Sequence, residues 1–266
     1  MKILIIMGCI TFLWAGEQVG LLTEQYDSHF LQVLHLLYGE GHLAEGDDES
    51  LRLLIADEDL HRAQILDFGC GTGGVTHFIA ENFRDSEVVG IDIVEDSIRF
   101  AEKKFPKQAT PNLTFTSYQS DRLPFPNHSF DFVIAKEVFI HIFDKEEALK
   151  EIIRVLKPGG QLIIVDWLSR VESDSDENQI IHLSNVKAFE TILEKVGFKK
   201  ILKTDISKKY EYFLQKTLRK ASRLLLDIPN REEASIAEGY MMDIADVIEN
   251  LEKEETVVIR FQYLKV

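Results

Sequence analysis

The chain reads as an α/β protein built on a doubly wound sheet of seven strands, and three observations carry that reading. Short β-branched runs alternate with helical patterns through the middle of the chain, as a parallel sheet with crossover helices requires. The first of those runs passes directly into Ile65-Leu-Asp-Phe-Gly-Cys-Gly-Thr-Gly-Gly74, a glycine-rich turn that carries a chain sharply from strand into helix. A second short strand then ends in Asp92, 19 residues after Gly73, the spacing expected of a nucleotide-binding unit.

Taken in order, strands are expected near 64–68, 88–92, 113–118, 130–135, 161–167, 199–206 and 255–264. Helices fill the intervals, the first over 73–83. Lys157-Pro-Gly-Gly160 stops the helix that begins near Lys145 and turns the chain into the next strand. A helix over 185–196 precedes the sixth strand. Residues 207–255 read as helical and charged, an insertion before a final strand that joins the sheet antiparallel. The expected division is a helical cover over 1–60, a ligand-binding core over 61–206, a helical insertion or lid over 207–255 and the last strand over 256–266.

Composition narrows the partners. A chain of 266 residues is ample for one buried core, and 45 acidic against 30 basic residues give a net charge of -15. A broad nucleic-acid face is therefore not expected, while a cationic small molecule suits the field. Cys9 and Cys70 have no spacing that suggests a metal site or a disulfide framework, so no metal is expected. Residues 1–15 are apolar behind Lys2 and superficially resemble a signal peptide, yet they are too short to span a bilayer. Cleavage after Ala15 would place Leu13 where a small residue is wanted, so the segment reads as uncleaved and the protein as cytoplasmic, with secretion the alternative. A monomer or a homodimer is expected.

The glycine turn leaves its backbone uncovered, so that a flat polar ligand can lie against Gly69, Cys70, Gly71 and Gly73. Asp92 is placed to take the two hydroxyls of a ribose. Asp67 precedes the turn and would repel a pyrophosphate, whereas a cationic or amino-acid ligand suits it. With the later blocks Leu123-Pro-Phe-Pro-Asn-His-Ser-Phe-Asp-Phe-Val-Ile and Val155-Leu-Lys-Pro-Gly-Gly-Gln-Leu-Ile-Ile-Val-Asp-Trp167, the sequence resembles the class I methyltransferases that use S-adenosylmethionine, over roughly residues 60–206. That resemblance implies a Rossmann-like methyltransferase fold, S-adenosylmethionine as cofactor and a small-molecule methyl acceptor. It places Gln119 at the position of an Asp that holds the adenine amino group, with the Ser120 backbone N–H donating to the ring. Ile93 would cover one adenine face, with Leu43 and Ala44 on the other side.

The N-terminal segment narrows the likeness. Gln25-Tyr26 leads, 13 positions after Tyr26, into Gly39-Glu-Gly-His-Leu43, which resembles the phosphoethanolamine N-methyltransferases. The likeness implies a catalytic pair of Tyr26 and His141 that orients and deprotonates an amine, with Gln25 and Lys136 beside the cofactor. His141 also lies past the fourth expected strand, on the ligand side of such a sheet. A structural histidine and a covering tyrosine are the alternative reading of the two. The chain departs from that family at Ala135-Lys136-Glu137, where the family has Ser-Arg-Asp, at Trp167 in place of a Tyr, and at Gln179 and Ile181 in place of the Arg and Tyr that hold a phosphate. Glu137 then becomes the amine-facing carboxylate, Trp167 a candidate cation-π partner or an ordinary packing residue, and a small amine without phosphate the expected acceptor. The alternatives are C- or O-methylation of a lipid-like or quinone-like acceptor, approached past Phe139, Ile140, Ile142 and Phe143, and a non-catalytic protein that only binds the cofactor.

Overall fold

The computed structural model describes residues 28–56, 58–119, 122–171, 181–225 and 228–266. Its elements in chain order are α1 (Ser28–Tyr38), α2 (Asp48–Ile55), β1 (Gln64–Phe68), α3 (Gly74–Asn82), β2 (Glu87–Asp92), α4 (Glu95–Lys104), β3 (Leu113–Ser117) and β4 (Phe130–Lys136). A 3-10 turn, Phe139–His141, follows, then α5 (Lys145–Val155), β5 (Leu156–Ser169), α6 (Val186–Val196), β6 (Phe198–Asp205), α7 (Ser207–Leu224), α8 (Arg231–Glu252) and β7 (Thr256–Lys265). The seven strands form one sheet in the order β3-β2-β1-β4-β5-β7-β6. β7 runs antiparallel between β5 and β6, and the pairings among β1 to β5 are parallel. This is the seven-stranded Rossmann-like sheet with helices added before β1 and before β7.

Helices on both faces leave the inner strands without solvent contact, which is why 162–165, Leu-Ile-Ile-Val, reads as a continuous apolar run and is buried throughout. Helix ends follow local chemistry. Asn185 caps α6 by accepting the Lys187 N–H at 2.9 Å, and Gly197, at φ 111°, closes its other end. At the outer edge, β6 is exposed beyond Phe198, and Lys200 and Lys203 on it pair with Glu190 at 2.8 and 2.7 Å. Such charges keep an open strand edge from pairing with another chain.

One strand starts earlier than expected. β5 begins at Leu156, which pairs with Phe130, and the register shifts before Gln161 meets Phe132. That irregularity accommodates Pro158 and Gly159, residues that a regular ladder excludes. The Lys157-Pro-Gly-Gly160 stretch still ends α5 at Val155.

The strand order reverses between β1 and β4, and a crevice opens beyond the carboxyl ends of those strands. Three helices frame it. Tyr38 on α1 shares a hydrogen bond with Tyr240 on α8 at 2.8 Å, and Lys220 on α7 donates to the Leu37 carbonyl at 2.8 Å. The loop from α1 to α2 is tied to the glycine turn, because the Gly74 N–H donates to the Gly41 carbonyl at 2.8 Å.

Candidate active site

The glycine turn joins β1 to α3, and Gly69, Gly71 and Gly73 all have positive φ. A side chain at Gly69, φ 75°, would put its Cβ 2.6 Å from the Val138 side chain. The backbone of β1 therefore approaches the segment after β4 more closely than any other residue permits. Gly74, which sequence reasoning did not single out, has the same constraint: a Cβ there would lie 2.5 Å from the Gly41 carbonyl oxygen.

Two carboxylates flank this turn. Asp92, at the end of β2, accepts the Gly71 N–H at 2.8 Å and the Val94 N–H at 2.8 Å. The Ile93 N–H also stabilises this carboxylate, and the acceptor capacity that remains suits a hydroxyl. Asp67, near the end of β1, is buried and accepts the Thr76 hydroxyl at 2.7 Å. Burial pushes both carboxyls up to about 7, against their hydrogen bonds. A cation delivered beside Asp67 reverses part of that shift.

The chain beyond β4 supplies the opposite wall. Lys136 and Glu137 form a buried ion pair. Glu137 also accepts the Tyr210 hydroxyl at 3.0 Å and the Trp167 indole N–H at 3.2 Å. Burial, then the Glu137 charge, raises the Tyr210 hydroxyl well above its ordinary value, so it remains a donor. Glu137 holds φ 57°, an unfavourable conformation for a residue with a side chain, which its three partners stabilise. Trp167 packs edge-on against Tyr210 with ring centroids 5.5 Å apart. It reaches the site through its N–H to Glu137, and its ring is part of the core.

His141 ends the 3-10 turn and is fully buried. The turn is fixed from β5, where the Asp166 carboxylate accepts the N–H groups of Val138 at 3.1 Å, Phe139 at 2.7 Å, Ile140 at 3.3 Å and Trp167 at 2.8 Å. Phe139, Ile140 and Ile142 are core residues, and Phe143 is exposed and packs edge-on against His182.

A pocket lies between the glycine turn, the end of β4 and the α1–α2 loop, lined among others by Leu43, Ala44, Asp67, Gly69, Cys70 and Lys136, with Glu45 and Glu137 completing its charged wall. Leu43 and Ala44 thus face the Asp67 and Glu137 end, whereas Ile93 is buried just beyond Asp92. Gln119 is exposed immediately after Tyr118, whose N–H donates to the Asp92 carbonyl at 3.2 Å. Gln25, Tyr26, Ser120 and Gln179 lie outside the described residues. Asp166 and Tyr210 are not singled out by the sequence, since each bonds across a distance that no local pattern encodes, and neither is Glu45, which lines the pocket beside Leu43 and Ala44.

Residues 60–217 match the family model described as a methyltransferase domain, more than half of the chain. The chain belongs to the class I S-adenosylmethionine-dependent methyltransferases. Phosphoethanolamine N-methyltransferase 3 of Arabidopsis thaliana is 29% identical over 211 residues, which are 76% of this chain and 42% of that protein. This methyltransferase chain therefore spans less than half the length of that relative. The sterol 24-C-methyltransferase erg6 of Aspergillus fumigatus is 36% identical over 126 residues, 45% of this chain and 32% of that protein. Among solved structures, Haemonchus contortus phosphoethanolamine N-methyltransferase 2, in complex with phosphomonomethylethanolamine and S-adenosylhomocysteine, superposes with a TM-score of 0.82 at 18% identity, over 94% of this chain and 60% of that one. That likeness bears on fold, and the fold is the one expected.

Proposed function

We propose that this methyltransferase transfers a methyl group from S-adenosylmethionine to the nitrogen of a small amine. One observation carries the reading: the pocket beside the glycine turn is lined by the carboxylates Glu45, Asp67 and Glu137 against a single lysine, Lys136. Such a wall favours a sulfonium and an ammonium and disfavours anionic or neutral lipid groups. S-adenosylmethionine, when bound, supplies an electrophilic methyl group on a positively charged sulfur.

The residues proposed to hold it are Asp92 for the ribose, Gly69, Cys70, Gly71 and Gly73 for the backbone bed, and Asp67, with Gln25, for the cationic amino-acid end. Gln119, Ser120 and Ile93 are proposed for the adenine. Glu137, held in place by Tyr210, Trp167 and Lys136, orients the acceptor nitrogen. An amine is mostly protonated at neutral pH, so transfer needs a group that takes up or holds its proton. His141 with Tyr26 is proposed for that step; the support for His141 is the turn that Asp166 anchors, since positioning supplies much of the rate.

Ile181, where the resembled family has a phosphate-holding Tyr, offers no donor, so the proposed acceptor lacks phosphate: glycine, its methylated derivatives or another small biogenic amine. The sterol relative supports carbon methylation as a second reading, but Phe139, Ile140 and Ile142 are packed into the core. Among the described residues no helix is long and apolar enough to cross a membrane. A cytoplasmic site of action is part of the proposal, because the cofactor is an intracellular metabolite. Residues 207–255 are proposed as a lid on the strength of the Tyr210 bond to Glu137.

Calorimetric titration with S-adenosylhomocysteine, followed by labelled methyl transfer to a panel of small amines by wild type and His141→Ala, tests the reading. Binding with transfer that depends on His141 is expected. Binding with transfer only to carbon or oxygen acceptors overturns it.

A further inference from the structure

Glu45 has no assigned role in the family signature, yet its surroundings are those of a ligand group. It lies in the loop between α1 and α2, is 5% exposed, and its Oε1 has no hydrogen-bond partner among the described residues. Native interiors leave very few polar atoms unpaired, and one that lines a pocket is open to a partner from outside the chain. The backbone around Glu45 is fixed, because the Ser50 hydroxyl donates to the Glu45 carbonyl at 3.0 Å and Asp47 caps α2.

The position is equally specific. Glu45 lines the pocket of the glycine turn together with Glu137, and it also lines a second cavity of about 220 Å³ bounded by Tyr38, Phe213, Lys216, Thr217 and Lys220. It is the wall the two spaces share. The cations nearby have other partners: Lys136 pairs with Glu137, Lys216 with Asp47 at 2.6 Å, and Lys220 donates to the Leu37 carbonyl. Burial first, and then the charge of Glu137, push the Glu45 carboxyl up to about 8, while Lys136 opposes the shift. Among the described residues the cation that opposes the shift is Lys136, and it is shared with Glu137.

We propose that Glu45 is a binding residue for the methyl acceptor, and that with Glu137 it receives the N–H groups of a small primary or secondary alkylammonium. The inference rests on the amine reading above and gives it a specificity element. On an alkylammonium nitrogen only the N–H groups donate to a carboxylate, so the nitrogen loses one bond with each methyl it gains, and a quaternary product has none left. The second cavity is then the route by which the acceptor reaches Glu45, on the side away from the glycine turn.

The test is calorimetry of the protein–S-adenosylhomocysteine complex with ethanolamine, N-methylethanolamine, glycine and sarcosine, together with KM for each amine, in wild type, Glu45→Gln and Glu45→Asp. Glu45→Gln should weaken the best-bound amine at least tenfold, leave S-adenosylhomocysteine affinity within twofold, and leave the thermal midpoint of the free protein at pH 8 equal or higher. Glu45→Asp should keep part of the amine affinity. Unchanged amine affinity and KM in Glu45→Gln overturn the assignment while the amine reading stands. Glu45-dependent amine binding without transfer upholds the assignment and overturns amine methylation. Failure of wild type to bind any of the four, or unfolding of Glu45→Gln, overturns the assignment.

Discussion

Asp166 and Phe139 stand 27 positions apart, and the carboxylate of the first accepts the backbone N–H of the second at 2.7 Å. Through that bond a residue on β5 sets the position of the turn that carries His141. Asp166→Asn keeps the shape but removes the charge that four N–H groups share. Losing part of such a set costs roughly 1–3 kcal/mol in stability, and a displacement of the turn by about 1 Å is enough for a 10²-fold loss in rate. The expected outcome is a fall in single-turnover transfer with cofactor affinity unchanged, checked by rapid quench and calorimetry.

Asp92→Ala removes the acceptor of the Gly71 and Val94 N–H groups together with the proposed ribose contact. Hydrogen bonds to a charged group contribute about 1.5–3 kcal/mol each, which corresponds to roughly 10- to 100-fold weaker binding for one ribose bond lost. Calorimetric titration with S-adenosylhomocysteine should show that loss. Affinity equal to wild type removes Asp92 from the cofactor site.

Gly69→Ala combines a left-handed backbone with a Cβ 2.6 Å from Val138. The strain alone is about 1–3 kcal/mol, and the overlap adds to it. Val138→Ala removes the obstructing methyl groups but not the backbone strain. The double variant should therefore recover part of the urea midpoint lost in Gly69→Ala and not all of it.

The stability of the free protein should fall as pH rises from 6.5 to 8, and Glu45→Gln should flatten that fall. The folded-state value of Glu45, about 8, lies above the ordinary carboxylate value, so the folded state binds the proton more tightly than the unfolded chain does. The associated stability is complete at low pH and is lost as pH climbs through the folded value. His42, held down to about 4 chiefly by burial, acts in the opposite sense and below this window. Thermal melts of the two proteins across the range measure the difference.

Much of this was legible in the sequence wherever one residue type is dictated locally. The glycine turn follows from Gly69, Gly71 and Gly73, and six of the seven strands begin and end within about a residue or two of their expected bounds because β-branched runs mark them. β5 departs from its bound because Pro158 and Gly159 read as a turn while an irregular register absorbs them. The site was less legible. Tyr210 reaches Glu137 across 73 positions, and only the fold brings α7 over the end of β4. Trp167 reads in the sequence either as a cation-π partner or as an ordinary packing residue; its burial against Tyr210 follows from the apolar context of β5, with its N–H pointing to Glu137.

The hydrogen bond from the Gly74 N–H to the Gly41 carbonyl joins the two walls of the pocket, one made by the glycine turn and the other by the α1–α2 loop. Those walls cannot part while it is intact. The exchange of that single amide with deuterated solvent therefore serves as a clock for the opening of the pocket, and a ligand bridging both walls slows the clock without touching Gly74 itself.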